Sequence, residues 1–72
     1  MEKNFNEKFV RNAIRTTSDA MSIIRGYMYG KDFSDLLPFE RRLLYIEENL
    51  LSAYMSTLTM HLSFVENAEL EK

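Results

Sequence analysis

Gly30-Lys31-Asp32-Phe33-Ser34-Asp35-Leu36-Leu37-Pro38 is the break on which the fold turns. It holds the only proline and one of the two glycines, and it separates two segments whose apolar residues recur at helical spacing. Gly30 suits the left-handed position just past a helix, where a side chain would be strained. Asp32, Ser34 and Asp35 offer oxygens to the free backbone N–H groups at the start of a following helix. Pro38 suits a first helical turn, because the donor it lacks would have no partner there. Phe33, Leu36 and Leu37 are expected to close this end of the core. A connection this short makes the flanking helices antiparallel neighbours.

Upstream, a helix is expected over about residues 4–29. Phe5, Phe9, Val10, Ala13, Ile14, Ala20, Met21, Ile24, Tyr27 and Met28 fall mostly three and four apart, which strand alternation does not fit. Downstream, a helix is expected over about 38–67, with a frayed acidic tail at 68–72. The apolar residues of this second helix, from Phe39 to Val65, cover an arc of roughly 200° at ~100° per residue. One neighbouring helix needs about half of that. The polar remainder is narrow: Arg41, Glu48, Ser52, Ser56, Thr59 and Ser63. The excess predicts a second contact surface, so the expected fold is all-α, an antiparallel helical hairpin assembling into a homo-oligomeric helix bundle.

The 72 residues form one domain. A monomer of this size buries only roughly 60% of its unfolded surface and usually needs disulfides, a metal or self-association. There is no cysteine and a single histidine, His61, which excludes disulfides, thiolate sites and histidine clusters and leaves self-association. A net charge of −2 provides no global basic field for long nucleic acid. Met1-Glu2-Lys3-Asn4-Phe5-Asn6 lacks a secretory layout, and no apolar run approaches the ~20 residues of a membrane span. A soluble, cytoplasmic protein is expected.

Lys8, Arg11, Arg15, Ser18, Ser22 and Arg25 share about a third of the first helix's circumference, with Glu7 and Asp19 among them. Arginines chelate phosphate oxygens and hydroxyls read base or sugar edges. The same face serves equally as a solvated surface. Phe5 and Phe9, one turn apart, either stack on a base beside Arg11 or Arg15 or continue the core stripe through Ala13. Tyr45 falls on the polar side of the second helix, exposed or at a subunit contact. Arg41 and Arg42 sit where cations oppose the helix dipole. They either pair with Glu40, Asp35 or the acidic tail, or receive an anion. Glu47 and Glu48 point about 100° apart and have no companion base or nucleophile. No nucleotide loop, catalytic triad or metal set is present, so neither catalysis, nor a cofactor, nor a metal is expected.

Leu37-Pro38-Phe39-Glu40-Arg41 leading into Leu50-Leu51-Ser52-Ala53-Tyr54-Met55 resembles the hairpin domain shared by phage anti-CBASS cyclic-nucleotide sponges and Thoeris anti-defence sponges. That family carries a Leu-Pro turn, an arginine just after it, and a following L-x-x-A-x-M helix. Leu37, Pro38, Arg41, Leu50, Ala53 and Met55 match in order. The family's Lys-Leu-Glu-Glu-Ala is Asn49-Leu50-Leu51-Ser52-Ala53 here, and its following tryptophan is Ser56. The resemblance implies a phage-type immune evasion protein that sequesters cyclic dinucleotides or trinucleotides in the host cytoplasm without cleaving them. By distance from the Leu-Pro turn, the family's helix-one Lys and Thr contacts fall at Arg15 and Thr17, and Phe5 or Phe9 stands in for its stacking tyrosine. The ligand-binding set so implied is Phe5, Phe9, Arg11, Arg15, Thr17 and Arg41, assembled in a homodimer or a higher oligomer such as a hexamer. The alternative from composition alone is a small oligomeric hairpin that binds a host protein or RNA as a regulator.

Overall fold

The computed structural model describes residues 2–70, with side chains from 7 to 67. Two helices, α1 (Glu2–Met28) and α2 (Pro38–Leu70), are joined by a turn containing one short 3-10 helix, Phe33–Asp35. The chain is therefore all-α, an antiparallel hairpin, and forms a rod of 54 × 15 × 14 Å. Its length is that of a helix of some 33 residues, the length of α2, at roughly 1.5 Å per residue. α1 begins two residues before its expected start and stops one short of its expected end, and α2 runs past its expected end. Glu66 to Leu70 contains no glycine or proline to stop α2, so the expected acidic tail joins the helix as far as Leu70. Residues 71 and 72 lie outside the described ones.

Two register rows form the seam. In α1 the central row is Glu7, Val10, Ile14, Thr17, Met21, Ile24 and Met28, alternately three and four apart, with Ala13 and Ala20 partly covered beside it. In α2 it is Arg41, Leu44, Glu48, Leu51, Met55, Leu58, Leu62 and Val65, again alternately three and four apart. That alternation averages 3.5 residues, the repeat of two helices wound about each other with side chains interlocked. Val10, Met21, Leu58 and Val65 are buried apolar side chains, and Thr17 is buried with them.

The seam corrects the expected polar side of α2. Arg41, Glu48 and Ser52 face α1 and are partly covered. A two-helix seam is open along both edges, so a long side chain can pack its stem and turn its polar head outward. Glu48 does this. Its Oε2 accepts hydrogen bonds from Arg25 Nε at 3.1 Å and Nη2 at 2.8 Å, and from Ser52 Oγ at 3.2 Å.

The turn differs from expectation in three ways. Among the described residues none, glycine included, has a positive φ, so Gly30 is not a left-handed cap. Glycine is required there by close approach: a Cβ on Gly30 would lie 2.8 Å from the carbonyl oxygen of Gly26. Second, Glu40, and not Asp32, Ser34 or Asp35, serves the start of α2. Its Oε1 accepts from the backbone N–H of Leu37 at 3.0 Å, which is half of a capping box. The Asp32 side chain makes no capping bond. Third, Phe33 and Leu36 are partly covered while Leu37 is exposed. Leu37 stands at the end of the rod instead of closing the core.

Candidate functional site

The outward face of α1 carries Lys8, Arg11, Arg15, Ser18, Ser22 and Arg25, all exposed. Partners distinguish its three arginines. Arg11 donates through Nε to Glu7 Oε2 at 2.9 Å and through Nη2 to Glu66 Oε2 at 2.8 Å. The hydrogen bond it donates to Glu7 leads the influences that raise its pKa, and the two carboxylates offset its positive charge. Arg25 is bound to Glu48, and that bond is the main reason the Glu48 carboxyl lies below its ordinary value, against an opposing cost of desolvation. Arg15 differs. Its Nη2 donates to the amide oxygen of Asn12 at 2.6 Å, and among the described residues no carboxylate lies within ion-pair distance. An amide holds the guanidinium without cancelling its charge, and four of its five N–H donors remain available.

The hydroxyls beside Arg15 behave differently from one another. Thr16 Oγ1 turns back onto its own helix, 3.1 Å from the carbonyl of Asn12 and 3.2 Å from that of Ala13. Thr17 is buried in the seam at 5% exposure, so the protomer does not present it beside Arg15. Phe9 is 53% exposed and lies off the seam, outside the core stripe. It stands about 120° around the helix from Arg15. The Phe5 side chain lies outside the described residues. Arg41 is at the turn end of the rod, where its guanidinium carbon lies 6.0 Å from the centre of the Phe33 ring. Phe33 in turn meets Tyr45 edge-on, with centroids 5.8 Å apart and planes at 85°. Arg41 thus rests on an aromatic ring, and the expected pairing with Glu40, Asp35 or the acidic tail is absent among the described residues. Arg15 lies about 20 Å from the turn along α1 at roughly 1.5 Å per residue. The proposed contacts are therefore strung along the rod, and one protomer does not gather them around a ligand.

Three concavities lie outside that set, one of them a shallow hollow of about 270 Å³ between Tyr27, Leu36, Leu43 and Leu44. Another, of about 570 Å³, sits at the turn between Ile23, Gly26, Tyr27, Phe33 and Leu36, with Lys31 and Asp32 at its rim. The third, of about 340 Å³, lies where the basic face meets α2, between Ser18, Met21, Ser22, Arg25 and Met55. Ser18 and Ser22 were legible as hydroxyls on the basic face. Met55 was legible as part of the apolar arc of the second helix and of its L-x-x-A-x-M stretch.

The most extended exposed feature is apolar. Phe39, Leu43, Ile46, Leu50, Ala53, Thr57, Met60 and Phe64 are all exposed and alternate four and three apart along α2. This second row repeats every 3.5 residues, like the seam, but lies about 150° around the helix from it. Its large members include Phe39 at 66%, Leu50 at 65% and Phe64 at 70% exposure.

Compared with known proteins, the chain matches no family model, no curated protein and no solved structure. No helix among the described residues is long and apolar enough to cross a membrane. Among the same residues no group of three or more acidic, histidine or cysteine side chains is placed to hold a metal.

Proposed function

We propose that the protein is a non-catalytic binding protein of phage type that sequesters cyclic oligonucleotide second messengers, dinucleotides or trinucleotides, in the host cytoplasm. The observation that carries this reading is the uncancelled charge of Arg15, which sits against Asn12 while Arg11 and Arg25 sit against carboxylates. The resemblance across Leu37 to Met55 supplies the ligand class. The strung-out arrangement of Phe9, Arg11, Arg15 and Arg41 fits a site completed by more than one copy. A cyclic dinucleotide has two phosphates related by an approximate twofold axis, and a symmetric assembly repeats one arginine per phosphate. Sequestration then lowers the free signal by affinity and stoichiometry.

Calorimetry against a panel of cyclic dinucleotides and trinucleotides, followed by heating to recover the bound molecule, tests it. Intact ligand is expected. Arg15→Ala should leave folding stability within about ±0.5 kcal/mol, as for an exposed side chain. Loss of a charge-assisted phosphate contact should weaken binding by about 1.5–3 kcal/mol, more than tenfold. No binding across the panel removes the reading. If a lysate pull-down then retains a stoichiometric protein or RNA partner, with nuclease treatment separating the two, the regulator alternative takes its place.

A further inference from the structure

The geometry points to the second apolar row of α2 as a self-pairing seam, through which two copies of this chain associate antiparallel about a twofold axis. This inference concerns the unliganded protein and stands apart from the ligand reading.

The period identifies the class of occupant. Exposed residues spaced alternately four and three apart over seven intervals, all apolar but Thr57, match another helix carrying the same repeat. Among the described residues, α1 offers no such row outside its own seam. Its exposed large apolar side chains are Phe9, Ile23 and Tyr27, too few and too widely spaced. The only described surface with the matching period is the same row on a second copy, which makes the contact isologous. The area is sufficient. The six large members expose on the order of 600–700 Å² per protomer, so pairing removes at most about 1,200–1,400 Å² in all, the lower end of the range of stable specific interfaces. A patch of that size also exceeds what monomers usually leave in water.

Side-chain volume selects the direction. In the antiparallel register centred between Leu51 and Ser52, Phe39 faces the partner's Phe64 and Leu43 faces the partner's Met60. Ile46 faces the partner's Thr57, and Leu50 faces the partner's Ala53. Each small member meets a large one. In the parallel register every residue meets itself, so Ala53 and Thr57 form two consecutive undersized layers. Those layers leave voids that an interlocked seam does not tolerate. Parallel pairing would align Arg42 with the partner's Glu47, but exposed ion pairs contribute little. The antiparallel flanks set Glu47 against the partner's Tyr54 and Glu40 against the partner's His61, with no like charges opposed.

The chain has no cysteine, so engineered thiols report cleanly. Positions 43 and 60 of one chain lie roughly 25 Å apart along α2, too far for an internal disulfide. Oxidation of the full-length double variant Leu43→Cys/Met60→Cys, followed by peptide mapping, is expected to yield a covalent dimer joining position 43 of one chain to position 60 of the other. Links of 43 to 43 and 60 to 60, or no covalent dimer, would overturn the antiparallel pairing. Sedimentation equilibrium of the wild type without ligand should show twice the 8.5 kDa protomer mass or an even multiple. Leu50→Glu, which places a carboxylate opposite the partner's Ala53, should raise the dissociation constant more than a hundredfold and give either helical or unfolded single chains. A wild-type monomer at micromolar concentration, or unchanged assembly of Leu50→Glu, rejects the seam.

Discussion

The two glycines flank the end of α1 four residues apart, yet alanine should act on them with opposite sign. Gly26 lies inside α1, and a Cβ added there meets nothing within 4 Å. Neither glycine has a positive φ, so alanine is compatible with both backbones. At Gly26 the substitution restricts the unfolded chain and fills no occupied space. Its gain in a helix interior is about 0.8–1.0 kcal/mol, and near a helix end roughly half to all of that. At Gly30 the same Cβ would sit 2.8 Å from the Gly26 carbonyl oxygen. That oxygen belongs to the backbone and cannot rotate away. Several tenths of an ångström of movement are needed, at about 1–2 kcal/mol. With an unfolding entropy near 2.1 cal/mol/K per residue, 1 kcal/mol moves the midpoint of a chain this size by about 6–7 °C. Thermal unfolding followed by circular dichroism, at one fixed protein concentration, should therefore rise by about 3–6 °C for Gly26→Ala and fall by at least as much for Gly30→Ala. A Gly30→Ala midpoint at or above wild type would refute close approach as the reason for glycine. A lowered midpoint for Gly26→Ala would mean that something occupies the notch it lines.

Leu58, 3% exposed at the middle of the seam, should cost about 2–5 kcal/mol when changed to Ala. That is a large share of the ~4–11 kcal/mol expected for a chain this long, and a denaturation midpoint close to wild type would show that the seam packs elsewhere. The Glu48 carboxyl lies below its ordinary value near 4.5 because Arg25 binds its charged form. Its contribution is therefore present above about pH 4.5 and is lost as the pH falls through the lower folded-state value. Arg25→Met should flatten the acid limb of stability against pH, and an unchanged limb would assign acid sensitivity to other carboxylates.

Much of the hairpin was legible because its signals are local. Gly30 and Pro38 bracket the break, and the three-and-four spacing on either side leaves one topology open. The reasons behind those signals were less legible. Glycine satisfies either a positive φ or a crowded carbonyl, and only the backbone separates the two. The surplus apolar arc of α2 is present as a second row that the hairpin leaves exposed. What the wheel concealed was that two regular rows interleave on one helix, because two of the eight members of the inner row are polar, Arg41 and Glu48. A polar residue on a covered position makes sense only once the seam is known to be a single pair of helices, open on both sides.

The three arginines of α1 show where sequence loses its hold on the site. Arg11 has Glu7 four residues before it, the favourable helical order, and that pair is present at 2.9 Å. Arg15 has Asp19 four residues after it, the weaker order, and it takes Asn12 instead. Nothing local separates Arg15 from Arg25, whose carboxylate comes from Glu48, 23 positions away, or from the second partner of Arg11, Glu66, 55 positions away. Cross-hairpin ion pairs thus neutralise the two outer arginines and leave the middle one charged. The same geometry that brings Glu48 and Glu66 to α1 also turns Thr17 inward and spreads Phe9 and Arg41 toward opposite ends. The residues suggested by resemblance are thus strung along much of the 54 Å rod. Under the proposed antiparallel pairing, whose centre lies between Leu51 and Ser52, the partner's N-terminal half of α2 would run beside the C-terminal half of this one. The Arg41 end of each chain would then lie level with the Phe9 end of the other. Yet Arg41 is on the α1 side of α2, about 150° around the helix from the paired row, so both α1 helices stay on the outer faces of the pair. That pairing would join the apolar rows and leave the ligand set on two separate faces, so a shared ligand site requires a further contact between pairs.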